Sequence, residues 1–369
     1  MGLLRFLLAL AVVAGHCDSV LGIKFMNGQI AVQSFYIISG FYISLILNEK
    51  YVHQPNAYWL FISNRLLRLF PLYWAVLLAT FLFSITFSIV SHSHDNPALA
   101  VYSTVQFNPF SLVALILSNI FIIGQDLIMF MGINPEDGHF FLTANFWGTK
   151  PPLHSFLLVP QAWTLALELM FYAMAPFLVR RGYKSILLFV AGSLAIRLLL
   201  YTQLGLTNDP WTYRFFPNEI MFFLLGTLSY KLFVELRNRP VQKNRQLGLY
   251  LIVVTLTSLY AFIPAGRFES FPFSIREVAY FALLIGTIPY LFMLSNRYAA
   301  DSHIGELSFP IYITHILIIL VIHKVHLPWL NQGWIIVLIT IAASYLLNRF
   351  VSIPVEKIRQ ARVAKPAAL

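Results

Sequence analysis

The sequence predicts an all-α fold, a polytopic transmembrane bundle of about ten spanning helices. Three observations carry that expectation. Of the 369 residues, 59% are hydrophobic and only 11% charged, where soluble domains carry about 25% charged residues. Apolar runs of about 20 residues, enough to cross a bilayer, recur along the whole chain. The basic residues gather between alternate runs, as they do in cytosolic loops. Mean hydropathy, at +0.73, agrees. The net charge of +10 then reflects loop topology. Nucleic acid is excluded as a partner, because no basic soluble domain exists to hold it. The single cysteine, Cys17, excludes an internal disulfide and a cysteine-based zinc site.

The apolar runs are 2–21, 30–48, 71–91, 111–131, 161–179, 185–204, 217–236, 247–264, 275–294, 306–324 and 334–352. The first imitates a signal peptide, with Arg5, an apolar stretch and small residues at Ala14-Gly15. Spans follow it directly, so it reads as an uncleaved helix. The loop "NAYWLFISNRLLRLFPLYW" has apolar residues at helical spacing and then Pro71. It predicts an interfacial amphipathic helix over 49–70, with the third span starting at Pro71.

Orientation follows from the basic clusters at Arg65/Arg68, Arg180-Arg181-Lys184, Arg237 to Arg245, Arg297 and Lys357 to Lys365. With the N-terminus inside and 111–131 not spanning, every cluster falls inside. Only Lys24, Lys150, Arg214, Arg267, Arg276 and Lys324 then lie outside, 6 of 25 basic residues, apart from Arg197 within a span. The expectation is ten spans, both termini cytosolic, and a re-entrant or buried segment at 111–131. Asn119, Gln125 and Asp126 suit such a segment, since irregular backbone at membrane depth needs protein or water around it. An eleven-span arrangement is the alternative. The whole of 1–369 reads as one membrane domain with a short basic cytosolic tail at 357–369, and no period of 20–50 residues marks a repeat.

Ionisable residues inside spans are functional candidates. "RFLLALAVVAGH" sets Arg5 and His16 eleven residues apart. Eleven steps of about 100° make three turns and about 20°, and about 16 Å along the axis. Both side chains therefore share one face, a cation at the inner mouth and an imidazole in the outer half. The alternative is an orientation anchor at Arg5 and an interface residue at His16. Arg65 and Arg68, at i and i+3, face the same way and suit phosphates or anionic lipid. Glu168, inside the fifth span, needs a partner, for which a histidine is suited. Arg197 and Glu219 are expected to pair as a structural bridge. His315, in "FPIYITHILI", reads as a packing histidine or as a pore-lining one. His92, His94, His139 and His154 lack metal-ligand spacing, so no metal is expected. Motifs for nucleotide hydrolysis, zinc peptidases and the serine nucleophile elbow are missing.

Laid out in order, these pieces resemble the acyltransferase-3 family of integral membrane acyltransferases. "RFLLALAVVAGH" is similar to its R-x10-H first helix, and "GQIAVQSFYIISGFYIS" to its second. "RLLRLFPLYW", "AWTLALELMFYAMAP", "FFLLGTLSY", "ELSFPIYITHILI" and "VEKIRQ" follow in the family's order. Gln33 stands where the family often has aspartate, Thr164 where it often has serine, and the proline usual after Glu356 is missing. The resemblance implies a cytosolic acyl-coenzyme A donor, most often acetyl-CoA, and an O-linked acceptor on a surface or secreted carbohydrate or lipid-linked sugar. It implies Arg65, Arg68 and Arg5 on the coenzyme A phosphates and the pantetheine arm along the first helix. It implies His16 as general base or acyl relay, oriented by Glu168, with Ser39 and Thr164 as oxyanion donors. No appended esterase-like domain is recognised, so a stand-alone enzyme is expected. Other expected partners are membrane lipids and, as an open choice, a second copy of the chain. The aromatic stretch with Phe140, Phe141, Phe146 and Trp147 is read as interfacial packing, with acceptor binding as the alternative. A transporter or flippase of lipid-linked sugars is the rival class, a non-catalytic assembly partner a third. A bacterial inner or plasma membrane is the expected location.

Overall fold

The computed structural model describes residues 1–17, 20–23, 25–52, 54–91, 98–266, 268, 270–325 and 329–363. Lys24, His92, His94, Arg267 and Lys365, all weighed above, lie outside the described residues.

The chain is a helical bundle. Its helices are α1 (Gly2–Ala14), α2 (Gly28–Glu49), α3 (Ala57–Ser91), α4 (Pro109–Phe121) and α5 (Gln125–Ile128). After the short antiparallel pair β1 (Met131–Ile133) and β2 (Phe140–Leu142) come α6 (Trp163–Leu178), α7 (Tyr183–Leu198), α8 (Phe216–Leu236) and α9 (Lys243–Ser258). The series ends with α10 (Ile275–Ser295), α11 (Ala299–Glu306), α12 (Ser308–Val325), α13 (Gly333–Leu347) and α14 (Ile353–Ala361). Each of the eleven apolar runs overlaps a helix. Among the described residues, six helical stretches are long and apolar enough to cross a membrane: 28–49, 57–91, 183–203, 275–295, 299–325 and 333–361.

Three boundaries correct the sequence reading. The first helix stops at Ala14, so His16 sits in the turn beyond it, its N–H bonded to Val13 O at 3.0 Å. The expected interfacial helix and the third span are one helix of 35 residues with Pro71 inside it, about 52 Å long at 1.5 Å per residue. Proline costs that helix one internal hydrogen bond. Packing of α3 against α6, α12 and α14 holds it through the break. The 111–131 run becomes a 13-residue helix that ends at Ile122 in the left-handed region. At about 20 Å it is shorter than the hydrocarbon core. Asn119 ties it down: its amide donates to Phe156 O at 3.0 Å, and its carbonyl oxygen accepts from Leu158 N at 2.8 Å.

A close seam joins α2 to α8. A Cβ on Gly40 would lie 1.9 Å from Phe223 O, and one on Gly226 would lie 1.9 Å from Ile37 O. Backbones approach this closely only through small residues, a common device between membrane helices. Beside the seam, Tyr36 stacks on Phe223 at 4.5 Å, and Ser44 Oγ donates to Thr227 Oγ1 at 3.0 Å. One end of α2 is fixed by a second device. Arg197 of α7 pairs with Glu219 of α8, both buried, as the sequence suggested. Glu219 also accepts from Gln33 Nε2 at 3.2 Å. Arg197 donates to Thr212 O at 2.7 Å and lies 4.8 Å over the Phe273 ring.

Candidate active site

Two cavities open between these helices. The larger, about 1000 Å³, lies at the end of the bundle that carries Arg5, Arg65 and Arg68. All three line it, which brings together residues from α1 and α3 that the sequence paired only by analogy. Arg65 is buried, and its Nε–H has no partner among the described residues, so it is a donor aimed into protein with capacity to spare. The same mouth is lined by Arg297, Lys357 and Arg359. Arg359 donates to Asn64 O at 2.8 Å, which ties α14 to the α3 turn that carries Arg65. Six cations thus surround the mouth, against Asp301, Glu306 and Glu356. Deeper in, the walls are Ser39, Thr164, Glu168 and Tyr312.

The second cavity, about 680 Å³, lies toward the other end. His16 lines it with His154, Trp147, Phe146, Trp163, Tyr213 and Arg214. Arg214 is buried and held from all sides. It donates to both oxygens of Asp209, at 2.6 and 2.9 Å, and its guanidinium carbon sits 4.3 Å over the Trp163 ring and 4.7 Å over Tyr213. His154 meets Trp147 edge-on at 4.9 Å. Burial pushes the His154 imidazole below its ordinary pKa and the Arg214 cation adds to the shift, so this ring is neutral near pH 7.

His16 is fixed in a usable tautomer. Its Nδ1 lies 2.9 Å from Val12 O. A carbonyl only accepts, so Nδ1 carries a proton, and in the neutral ring the lone pair is on Nε2. His315 repeats the arrangement, with Nδ1 2.6 Å from Tyr312 O, and its ring centroid stands 5.0 Å from that of His16. His315 is fully buried, and its Nε2 has no partner among the described residues. It packs against the candidate base without lining either cavity.

Two expected contacts are not formed. Glu168 lines the inner cavity and His16 the outer one. The carboxylate instead accepts from Ser39 Oγ at 2.7 Å. Nor does α1 supply one continuous wall. Leu4, Leu8 and Ala9 are buried, and Ala9 and Val13 pack on Ile311 of α12. Among the helices that reach both cavities is α2, from Val32 to Ile43 in the inner one and from Gly28 to Val32 in the outer one. Helical spacing reports which residues share a face, but not which neighbour covers that face.

Sequence reasoning missed Arg359, Lys357, Arg214, Trp163 and Tyr312. Signals existed for two of them. Tyr312 stands three residues before His315, on the same face. Arg214 interrupts the aromatic run "WTYRFF". Phe146 and Trp147, read as interfacial packing, line the outer cavity.

These features have counterparts among known proteins. The family model described as an acyltransferase domain, that of the acyltransferase-3 family, matches residues 1–349. A relative from Aquifex aeolicus (strain VF5), itself described only as an uncharacterized protein, is 27% identical over 223 residues, covering 57% of this chain and 92% of that protein. No solved structure matches.

Proposed function

The chain belongs to the acyltransferase-3 family of membrane acyltransferases, and from that premise we propose that it moves an acyl group, acetyl first, from cytosolic acyl-CoA to a hydroxyl of a surface or secreted carbohydrate. The observation that carries this reading is the pairing of a cation-ringed cavity with an aromatic one that holds His16. Arg65, Arg68 and Arg5, joined by Arg359 and Lys357, take the phosphates of the donor. Guanidiniums bind phosphate through charge-assisted, often bidentate, hydrogen bonds. In this reading the basic mouth faces the cytosol, as the positive-inside rule requires. Both termini then lie on that side, in the ten-span arrangement, and the membrane is a bacterial inner or plasma membrane. The pantetheine arm runs along α2 past Ser39 and Glu168. The aromatic faces of Trp147, Trp163 and Tyr213 suit the apolar faces of sugar rings.

The chemistry is a direct transfer. His16 Nε2 takes the proton of the acceptor hydroxyl as its oxygen attacks the thioester carbonyl. The C–S bond breaks, and the imidazolium returns the proton to the departing thiolate. The Thr164 hydroxyl, once the Tyr312 ring moves aside and frees its hydrogen, donates to the oxyanion. Ser39, held by Glu168, orients the arm below, and His315 packs the ring of His16 in place.

Mass spectrometry of surface glycans from matched cells, with and without the protein, tests the reading. An acetyl-sized increment only in cells with the protein supports it, and identical glycans overturn it in favour of a flippase. A second prediction concerns the donor. Arg65→Ala with Arg68→Ala weakens coenzyme A binding by roughly 10- to 100-fold, the loss of one or two hydrogen bonds to charged groups. The residual affinity depends less on salt. Isothermal titration at two ionic strengths reads both effects, and unchanged affinity returns these arginines to anchoring in the lipid interface.

A further inference from the structure

Among the described residues, only Val32 and Tyr312 line both cavities. We infer that Tyr312 of α12, together with Val32 of α2, is the partition between donor and acceptor chambers and sets which acyl groups reach His16. The inference rests on the transfer reading for its substrate but on the cavities alone for its geometry.

Tyr312 is pinned across the passage. Its hydroxyl donates to Gln161 O at 2.8 Å and lies 2.7 Å from Thr164 Oγ1. Both partners stand at the N-terminal end of α6. Gln161 clamps α12 a second time, its amide donating to Ile313 O at 2.6 Å. The ring is buried, as is Val32. An acyl group bound for the outer chamber has to swing this ring aside, against two hydrogen bonds. A two-carbon group needs a small opening, and each further methylene needs more. The ring is also coupled to the imidazoles beyond it. Tyr312 O holds His315 Nδ1, and its ring lies 5.9 Å from that of His315, which touches His16.

The partition has a second consequence. Joined, the two cavities would form one continuous path through the bundle. Narrow apolar constrictions exclude water from such paths, and the partition at Tyr312 and Val32 would do so here while the donor is away.

Two readouts test the inference on full-length protein in liposomes. The first is dissipation of an imposed pH gradient, without donor or acceptor. Tyr312→Ala dissipates it about tenfold faster than native protein, a barrier change of about 1.4 kcal/mol. Tyr312→Phe, which keeps the ring, stays tight. The second is transfer from acetyl-, propionyl-, butyryl- and hexanoyl-CoA. Tyr312→Ala raises the longer-to-acetyl rate ratio about tenfold, the scale on which pockets discriminate a methylene, and Tyr312→Phe keeps the native ranking. If Tyr312→Ala fails to fold, Val32→Ala widens the same opening from α2 and is expected to leak and to accept longer chains. A folded, tight variant with the native donor ranking overturns the partition. A leak without transfer of any acyl group by any form of the protein upholds the partition and overturns the proposed function instead.

Discussion

His16→Ala brings acyl transfer down by about 10²–10⁴-fold, the share that a positioned general base contributes. Expression, membrane insertion and coenzyme A affinity stay at native levels. The reason for that separation is spatial. His16 lies in the turn after α1, exposed to the outer cavity, and its side chain bonds locally, from Nδ1 to Val12 O. The donor's phosphates would sit at the far end of the other chamber. Removing the imidazole therefore takes away a proton acceptor without opening the core. His16→Gln separates chemistry from packing: it keeps polar bulk but no basic nitrogen, and it is expected to be as inactive as alanine. The assay is transfer from radiolabelled acetyl-CoA by purified protein, with donor binding measured in parallel. Transfer within threefold of native in both variants would remove His16 from the mechanism.

The second large effect concerns folding. Arg197→Met alone leaves Glu219 as a fully buried carboxylate with only Gln33 to satisfy it. Breaking a buried ion pair from one side costs about 3–5 kcal/mol. The variant is expected to lose most of its thermal stability in detergent and to accumulate poorly. Arg197→Met with Glu219→Leu removes both charges and leaves only the Gln33 amide without its acceptor, a cost of about 1–3 kcal/mol. The double variant is thus more stable than the single one. Thermal unfolding of the three proteins decides the point: a double variant as unstable as Arg197→Met would mean the pair is not the unit that matters. Activity of the double variant stays near native, because neither residue lines either cavity.

Legibility in the sequence followed the range of the physics. Local spacing carried well. Arg65 and Arg68 share a cavity because they are three residues apart on one helix, and Arg197 and Glu219 meet because adjacent antiparallel helices place them level. Each apolar run was visible as a helix. What failed was anything decided by a distant neighbour. The imidazole–carboxylate contact of His16 and Glu168 needed knowledge of what stands between α1 and α6, and Tyr312 stands there. Arg359 is almost three hundred residues from Arg65 and joins the same mouth through tertiary contacts such as its bond to Asn64 O. The continuity of α3 through Pro71 was hidden for a similar reason. Proline weakens a helix locally, while the packing that overrides it comes from α6, α12 and α14.

The glycine seam between α2 and α8 has a mechanical consequence. Two helices whose backbones touch at Gly40 and Gly226 interlock at those points, and neither can slide past the other without a collision of main chains. α2 is thereby a fixed rail, keyed to the body of the bundle at its middle and latched at one end through Gln33. Val32 sits on that rail, and Tyr312 does not. Whatever motion lets a substrate through belongs to the opposite jaw, where Tyr312 sits, while the rail's half of the passage is set once, when the seam closes during folding.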